Sequence, residues 1–556
     1  MLFCKLLNPS HASRRGLRQY SLPGALQLGV LLAGLCSLNA IAGSAIASER
    51  EGPSDQAIAD LAQRAMAAFD VPGMAVGIVR GNETVFAQGF GVREIGHSEP
   101  VDTLTMFKIA SNSKAFTTTA LAILADEGKL EWDGKLTSYI PEFKMYDPWV
   151  TSHFTVSDML THRSGLGKGA GDLMFWPEPN LYTQADIVHA LQFFEPVSSF
   201  RTEYAYDNSM YVVAGEVVAR ASGQSWNAFV QNRIMQPLGM QRCFADRIPA
   251  DEMHNLAVPH GIVEGKLSVI ERGRIPDQPP VSASAGGIIC SLDAMLKWVK
   301  TQLGRGTSPD GIELFSRAQN QELWAPQTIM SVSESSYEFN NTHFKAYGLG
   351  WRLADVHGYK EVSHTGTLAG MLSYVLMIPE LDLGVIVMIN GSSSATRSAV
   401  MNTIVDSFMP VEPRDWVKIN QDEIKEWQRT HQQQPQAASD EPGNDEPASA
   451  PIVLLDDLSD YAGRYQDPWF GEITIETTDA GLYFRAAKSP RLNGPLTPTG
   501  AHQFVANWID RSLDGDAYVQ FVVNDDGKVE GMTMTRLHEW SDWSFDYQDL
   551  NFTSLE

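Results

Sequence analysis

The chain has 556 residues, 43% hydrophobic and 20% charged, a balance that suits a folded globular protein too long for one ordinary core. Its 42 basic residues against 67 acidic ones give a formal charge of −25. That excludes the clustered Lys and Arg stripe that nucleic-acid phosphates require, so no nucleic-acid partner is expected.

In chain order, the N-terminus reads as an export signal. Arg14, Arg15 and Arg18 precede an apolar run from Leu26 to Ala42, and Ala45-Ile46-Ala47 follows as a small-x-small cleavage pattern. Residues 1–47 are assigned to this signal, for an exported, periplasmic or secreted protein; an uncleaved N-terminal anchor is the alternative. "SRRGLR" matches a twin-arginine signal only weakly, with Leu17 where an aromatic is preferred. No later stretch is long and apolar enough to span a membrane, so none is expected after signal cleavage. Cys4 and Cys36 leave with the signal. Cys243 and Cys290 remain, expected as buried small side chains rather than as a disulfide framework.

"SDQAIADLAQRAMAAF" (54–69) has helical apolar spacing with Ser54 as cap. Two strand-like runs then flank Gly81-Asn82, a hairpin signal. Far downstream, strands are expected at Ser373–Ile378 and Leu383–Ile389, then a helix at Ser394–Phe408. Strands at both ends with helical patterns between them predict an α/β domain. Its antiparallel sheet, flanked by helices, is built from both ends of the segment around a mostly helical subdomain. Residues 411–450 read as a short helix and a Pro- and Gln-rich flexible linker. Residues 451–556 alternate as short strands, an all-β barrel or sandwich.

Chemistry concentrates in three places. Ser111 and Lys114 are spaced i and i+3, on one face of a helix start, where backbone N–H groups favour developing negative charge. A serine hydroxyl needs a base. An ordinary lysine, with a pKa of about 10.4, must fall to roughly 7–8 to serve, which burial can achieve. This is the chain's only S-x-x-K. Alone, such a match is usually a capping serine beside a surface lysine. It has company in Tyr206-Asp207-Asn208, the only Tyr-x-Asn, and in His364-Thr365-Gly366 beside a predicted strand.

With these motifs in this order, the chain resembles the serine β-lactamase-like superfamily: class C β-lactamases, D,D-peptidases, D-aminopeptidases and related esterases. "FTVSDMLTHRSGL", "QPLGMQRC", "SAGGIICSLDAMLKW" and "YGLGW" extend the resemblance over roughly residues 55–410, and the domain is placed at 48–410. The resemblance implies that Ser111 is acylated and that Lys114 and Tyr206 transfer protons. Asn208 orients the substrate and Lys114, and Ser111 and Thr367 supply oxyanion N–H groups. His364, Thr365 and Gly366 form the substrate-binding strand. It implies no cofactor and no metal; His153 and His162 lack a metal-binding spacing. Class C β-lactamases carry Lys where this chain has His364. The departure shifts the expectation from β-lactamase towards a peptidase, amidase or esterase that handles uncharged substrates at least as well as carboxylated ones.

The expected function is therefore an exported serine hydrolase acting through an acyl-enzyme on a small peptide, amide or ester. The alternatives are a β-lactamase or D,D-carboxypeptidase, or a penicillin-recognising sensor without turnover. Homo-oligomerisation stays open. "YAGRYQDPWFGEITI" resembles the lipocalin-like domain appended to some members. Its Trp469, Phe470, Trp508 and Trp540 are expected as core, with Trp149 and Trp176 in the cleft or in packing. Because this region carries none of the three motifs, a chain cut near residue 430 is expected to keep small-ester activity.

Overall fold

The computed structural model describes residues 52–276, 278–432, 452–513, 515–539 and 541–555. The signal segment 1–47 with Cys4 and Cys36, the linker from 433 to 451, and Trp540 lie outside the described residues.

The helix Asp55–Ala68 starts where Ser54 caps it, accepting from the Ala57 amide. Strands Gly73–Arg80 and Glu83–Gly91 follow as a hairpin turned at Gly81, which takes a φ of 59°. These join an eight-stranded antiparallel sheet. Its order runs Glu83–Gly91, Gly73–Arg80, Leu383–Ile389, Met371–Ile378, Tyr359–Leu368, Arg352–Val356, Lys345–Tyr347 and Thr328–Met330. Val76 faces Val387 across the seam, so the two ends of the domain are stitched together in mid-sheet. The central strands are apolar throughout because both faces are covered. Alternate side chains divide between two cores. Val76, Ile78, Val385 and Val387 join Ile58 and Ile404 of the helices Asp55–Ala68 and Ser394–Phe408. Ala75, Ile386 and Met388 join Leu296 of the helix Leu292–Leu303 on the other face.

Between the sheet's two halves lies the helical subdomain, which includes Val156–Leu160, Gln184–Ala190 and Ser209–Ser222. The helix Ser113–Asp126 is buried along its first twelve residues. A short sheet brings Met106–Lys108, Ile289–Ser291 and Cys243–Phe244 together. Cys243 stands directly opposite Cys290 there, and the two form a disulfide. This corrects the expectation of separate buried thiols. Their 47-residue separation hides a cross-strand pairing that only the fold reveals.

The C-terminal strands form a closed eight-stranded barrel of sequential antiparallel neighbours, from Gly463–Asp467 to Asn551–Ser554. The first and last strands pair through Tyr465 and Ser554. Closure removes the edges, and Tyr465, Phe484, Phe504, Phe521 and Met532 fill the interior. Trp469, Phe470 and Trp508 are buried. Among the described residues, no helix is long and apolar enough to cross a membrane.

Candidate active site

The strand Met106–Lys108 runs into a 3₁₀ turn at Ala110–Asn112 that carries Ser111. Ala110 takes a φ of 50°, a left-handed conformation unfavourable for a residue with a Cβ. The turn holds because its surroundings fix it. Ser373 Oγ donates to Ile109 O at 2.6 Å, and Asn112 Nδ2 donates to Ser373 Oγ at 2.7 Å. Gly366 on the strand Tyr359–Leu368 lies so close that a Cβ there would stand 2.2 Å from Ile109 O. Only glycine lets this strand reach the serine turn.

Lys114 is 0% exposed. Its Nζ donates to Asn208 Oδ1 at 2.7 Å and to Ala285 O at 2.9 Å, and lies 3.4 Å from Ser111 Oγ. Burial pulls its pKa down to about 7, with Arg352 adding to the fall and Asp172 and Asp207 opposing it. A neutral amine has two N–H donors and one lone pair. Asn208 and Ala285 take the donors, which leaves the lone pair for the Ser111 hydroxyl.

Tyr206 packs over this group, with Lys114 Nζ 4.8 Å from its ring centroid. Burial raises its hydroxyl pKa against the pulls of Arg352 and of hydrogen bonding to Ser111, so the phenol stays protonated. Asn208 Nδ2 donates to both oxygens of Asp172, at 2.9 and 3.2 Å. Asp172 is fully buried, and burial followed by the charge of Asp546 lifts its pKa well above the usual carboxylate range.

Ser111, Tyr206, Asn208, Thr365 and Thr367 line one cavity of about 750 Å³, with Lys114 buried behind them. His364 does not join it. The two-residue period of the strand turns it inward, away from Thr365 and Thr367. It is 0% exposed; its Nε2 hydrogen-bonds with the Tyr347 hydroxyl at 2.9 Å and its Nδ1 with Thr365 O at 2.7 Å. Burial, then Arg352 and Lys114, hold its pKa well below the ordinary imidazole value. The expectation that His364 reads substrate charge is corrected by this geometry: a sealed, neutral ring with both nitrogens engaged meets no substrate.

Sequence reasoning missed four groups. Arg352 lines the cavity one residue beyond the "YGLGW" stretch. Asp172 opens the short 3₁₀ helix Asp172–Met174, which carries no motif. Lys168 and the barrel residue Trp543 also line the cavity. The Trp543 ring meets Tyr206 edge-on at 5.7 Å, and Lys168 Nζ sits 4.5 Å from it. A Cβ on Gly169 would strike that ring at 2.7 Å. Trp176 lines the cavity too, while Trp149 is 58% exposed and stacks on His153. His162 is buried, its Nδ1 accepting from the Asp207 amide at 3.0 Å. Among the described residues, no group of three or more His, Cys, Asp or Glu is placed to hold a metal ion.

Comparison with known proteins agrees with this architecture. A family model described as Beta-lactamase matches residues 58–408, and one described as a domain of unknown function (DUF3471) matches 448–554. The chain is 26% identical over 437 residues to an unguisins hydrolase of Aspergillus campestris, covering 76% of this chain and 78% of that one. In fold it is similar to an octameric penicillin-binding protein homologue from Pyrococcus abyssi, with a TM-score of 0.53 and 20% identity over 89% of this chain and 98% of that one. It is also similar in fold to a class C beta lactamase from Rhodobacter sphaeroides, with a TM-score of 0.51 and 19% identity over 63% and 97%. With 58–408 matched, well over half of its length, the chain belongs to the beta-lactamase family.

Proposed function

We propose that this protein is an exported serine hydrolase that cleaves an amide or ester through an acyl-enzyme on Ser111. The observation that carries the reading is the buried Lys114 amine, 3.4 Å from Ser111 Oγ with its two donors already engaged. Ser111 Oγ attacks the substrate carbonyl and its proton passes to Lys114 Nζ. Tyr206 delivers a proton to the leaving amine or alcohol and is recharged from Lys114. Water then attacks the ester on Ser111 by the same groups in reverse, releasing the acid. The backbone N–H groups of Ser111 and Thr367 hold the oxyanion, each worth about 3 kcal/mol in such sites.

Hydrolysis rather than mere acylation is favoured by the relative named as an unguisins hydrolase. Export is favoured by the N-terminal pattern together with the Cys243–Cys290 disulfide, a bond typical of oxidising compartments. Self-association belongs to this reading by analogy with the octameric Pyrococcus homologue.

A fluorescent serine-reactive phosphonate should label the wild type and not Ser111→Ala, and the wild type should release many equivalents of p-nitrophenol from a p-nitrophenyl ester. Labelling of Ser111→Ala at the wild-type rate refutes the assignment. A single equivalent released per chain would replace the hydrolase with a sensor.

A further inference from the structure

Arg397 lies near the start of the helix Ser394–Phe408, which packs on the main sheet through Ile404 and Val405. Its side chain is buried and does not line the cavity. Its Nη1 donates to Gly366 O at 2.5 Å and to Ser373 O at 3.1 Å, and Thr367 Oγ1 lies 3.3 Å from the same nitrogen. Its guanidinium carbon stands 5.9 Å from the Tyr374 ring centroid. Among the described residues no carboxylate forms an ion pair with it. Burial pulls its pKa down to about 10, the Tyr374 phenol opposing the fall and Arg352 adding to it, so at pH 7 the guanidinium keeps its charge. A buried charge is costly unless dipoles face it, and the dipoles facing this one are two backbone carbonyls.

One of those carbonyls belongs to the strand that reaches the serine turn. On one side the strand Tyr359–Leu368 pairs with Met371–Ile378, placing Gly366 opposite Ser373 and Thr367 opposite Leu372. On the other side its pairing with Arg352–Val356 ends at Ser363. Beyond that point the edge is unpaired, and Thr365 and Thr367 line the cavity with Ser111. A trans peptide is planar and points its C=O and the following N–H in opposite directions. The Gly366 carbonyl and the Thr367 N–H are therefore two ends of one dipole. Arg397 holds the carbonyl end, and the N–H end is the oxyanion donor of the hydrolase reading. Hydrogen bonds in series polarise one another, and a charged donor on the carbonyl leaves the N–H more positive.

We propose that Arg397 is a positioning residue of the hydrolase that never meets substrate: through the Gly366–Thr367 peptide, its charge strengthens the Thr367 N–H as an oxyanion donor. This rests on the hydrolase reading above. The gain is largest where negative charge is largest, in the tetrahedral transition state, so the effect belongs to kcat rather than to KM.

The test reads the phosphorus NMR resonance of the Ser111 phosphonate adduct, whose phosphoryl oxygen occupies the oxyanion site and moves downfield as its donors strengthen. The wild-type adduct should lie downfield of the same adduct unfolded in guanidinium chloride. The neutral variants Arg397→Met and Arg397→Gln should move it back towards the unfolded value. They should also lower kcat on p-nitrophenyl acetate by about tenfold, a part of the roughly 100-fold or more lost with a whole oxyanion donor, and leave KM within about twofold. Arg397→Lys, which keeps the charge, should recover most of both losses. Wild-type resonance and kcat in either neutral variant overturn the proposal. So does Arg397→Lys no better than Arg397→Met, the result expected of a mere strut for the strand. A wild-type adduct that resonates where the unfolded one does leaves no donor to strengthen and overturns it without any variant. Labelling of the wild type separates the two levels. A labelled wild type with unmoved variants defeats only the Arg397 assignment, whereas no labelling and no turnover of the ester defeats the hydrolase reading and this one with it.

Discussion

The neutral and charged forms of Lys114 differ by one proton and by what the amine offers Ser111. With a pKa near 7, the form that carries a lone pair grows about tenfold between pH 6 and pH 8. Phosphonate labelling should rise by that factor over the same interval and then level off; a flat profile would remove Lys114 as the base. The same shift bears on stability. An unfolded lysine keeps its proton to about pH 10.4. Between the folded and unfolded values the unfolded chain binds more protons, so this group's contribution to stability rises with pH across that window. Lys114→Met should abolish labelling yet unfold at a higher temperature at pH 7, because it removes a buried ionisable group.

At the scale of elements, the decisive contact is between the serine turn and the strand Tyr359–Leu368. Gly366→Ala would place a methyl 2.2 Å from Ile109 O and 2.3 Å from Ser373 Oγ. Backbone and strand must separate, which moves Thr367 from Ser111. Labelling should fall by about 100-fold or more, and stability by roughly 2–4 kcal/mol; near-wild-type labelling would show that the strand need not touch the turn. Four strands of the main sheet, Gly73–Arg80, Glu83–Gly91, Met371–Ile378 and Leu383–Ile389, and the helix Ser394–Phe408 were legible because burial on defined faces writes a period into the sequence, whereas short strands such as Thr328–Met330 and Lys345–Tyr347 carry too few residues to show one. The strand Asn493–Gly500 was obscured by Pro495 and Pro498, which interrupt a strand pattern yet are accommodated beside an irregular pairing. Ser111, Lys114, Tyr206 and Asn208 were legible from motif spacing. His364 was misread because spacing alone does not say which side of a strand faces the cavity. Asp172 and Arg352 stayed hidden because a buried counter-charge or a lone cation has no local signature.

Across the whole molecule, the barrel is part of the site. Asp546 accepts from the amides of Gly171 and Leu173 at 2.6 and 3.0 Å, Tyr182 donates to Phe470 O at 2.6 Å, and Lys488 pairs with Asp186 at 2.7 Å. The Asp546 contacts flank Asp172 in the chain, and its raised pKa depends first on burial and then on Asp546. The expectation that a chain cut near 430 keeps its small-ester activity therefore changes. A chain ending at Gln432 hydrates Asp172 and lowers its raised pKa, so that more of the negative charge that already opposes the fall of the Lys114 pKa is present. Asp546→Ala in the full chain acts in the same direction. Both should move the midpoint of the labelling profile above pH 7 and lower the rate at pH 7. An unshifted midpoint in either variant, with native circular dichroism, would show that docking does not tune the amine. Asp172 and Asp546 both have raised folded pKa values, so their contribution to stability is complete below about pH 4 and lost as pH rises through the folded values.

The cross-link between Cys243 and Cys290 closes a covalent ring whose last turn contains the segment Ala283–Gly286. That segment supplies Ala285 O to the amine, and Ile288 just after it donates its amide to Ser113 Oγ at 3.0 Å. Closing a ring of this size narrows the unfolded ensemble by about 4 kcal/mol. A chain made where thiols stay reduced would have to hold that carbonyl against the amine by packing alone. The oxidising surroundings that join Cys243 to Cys290 thus also bear on the environment of Lys114, by fixing the segment whose carbonyl its amine meets.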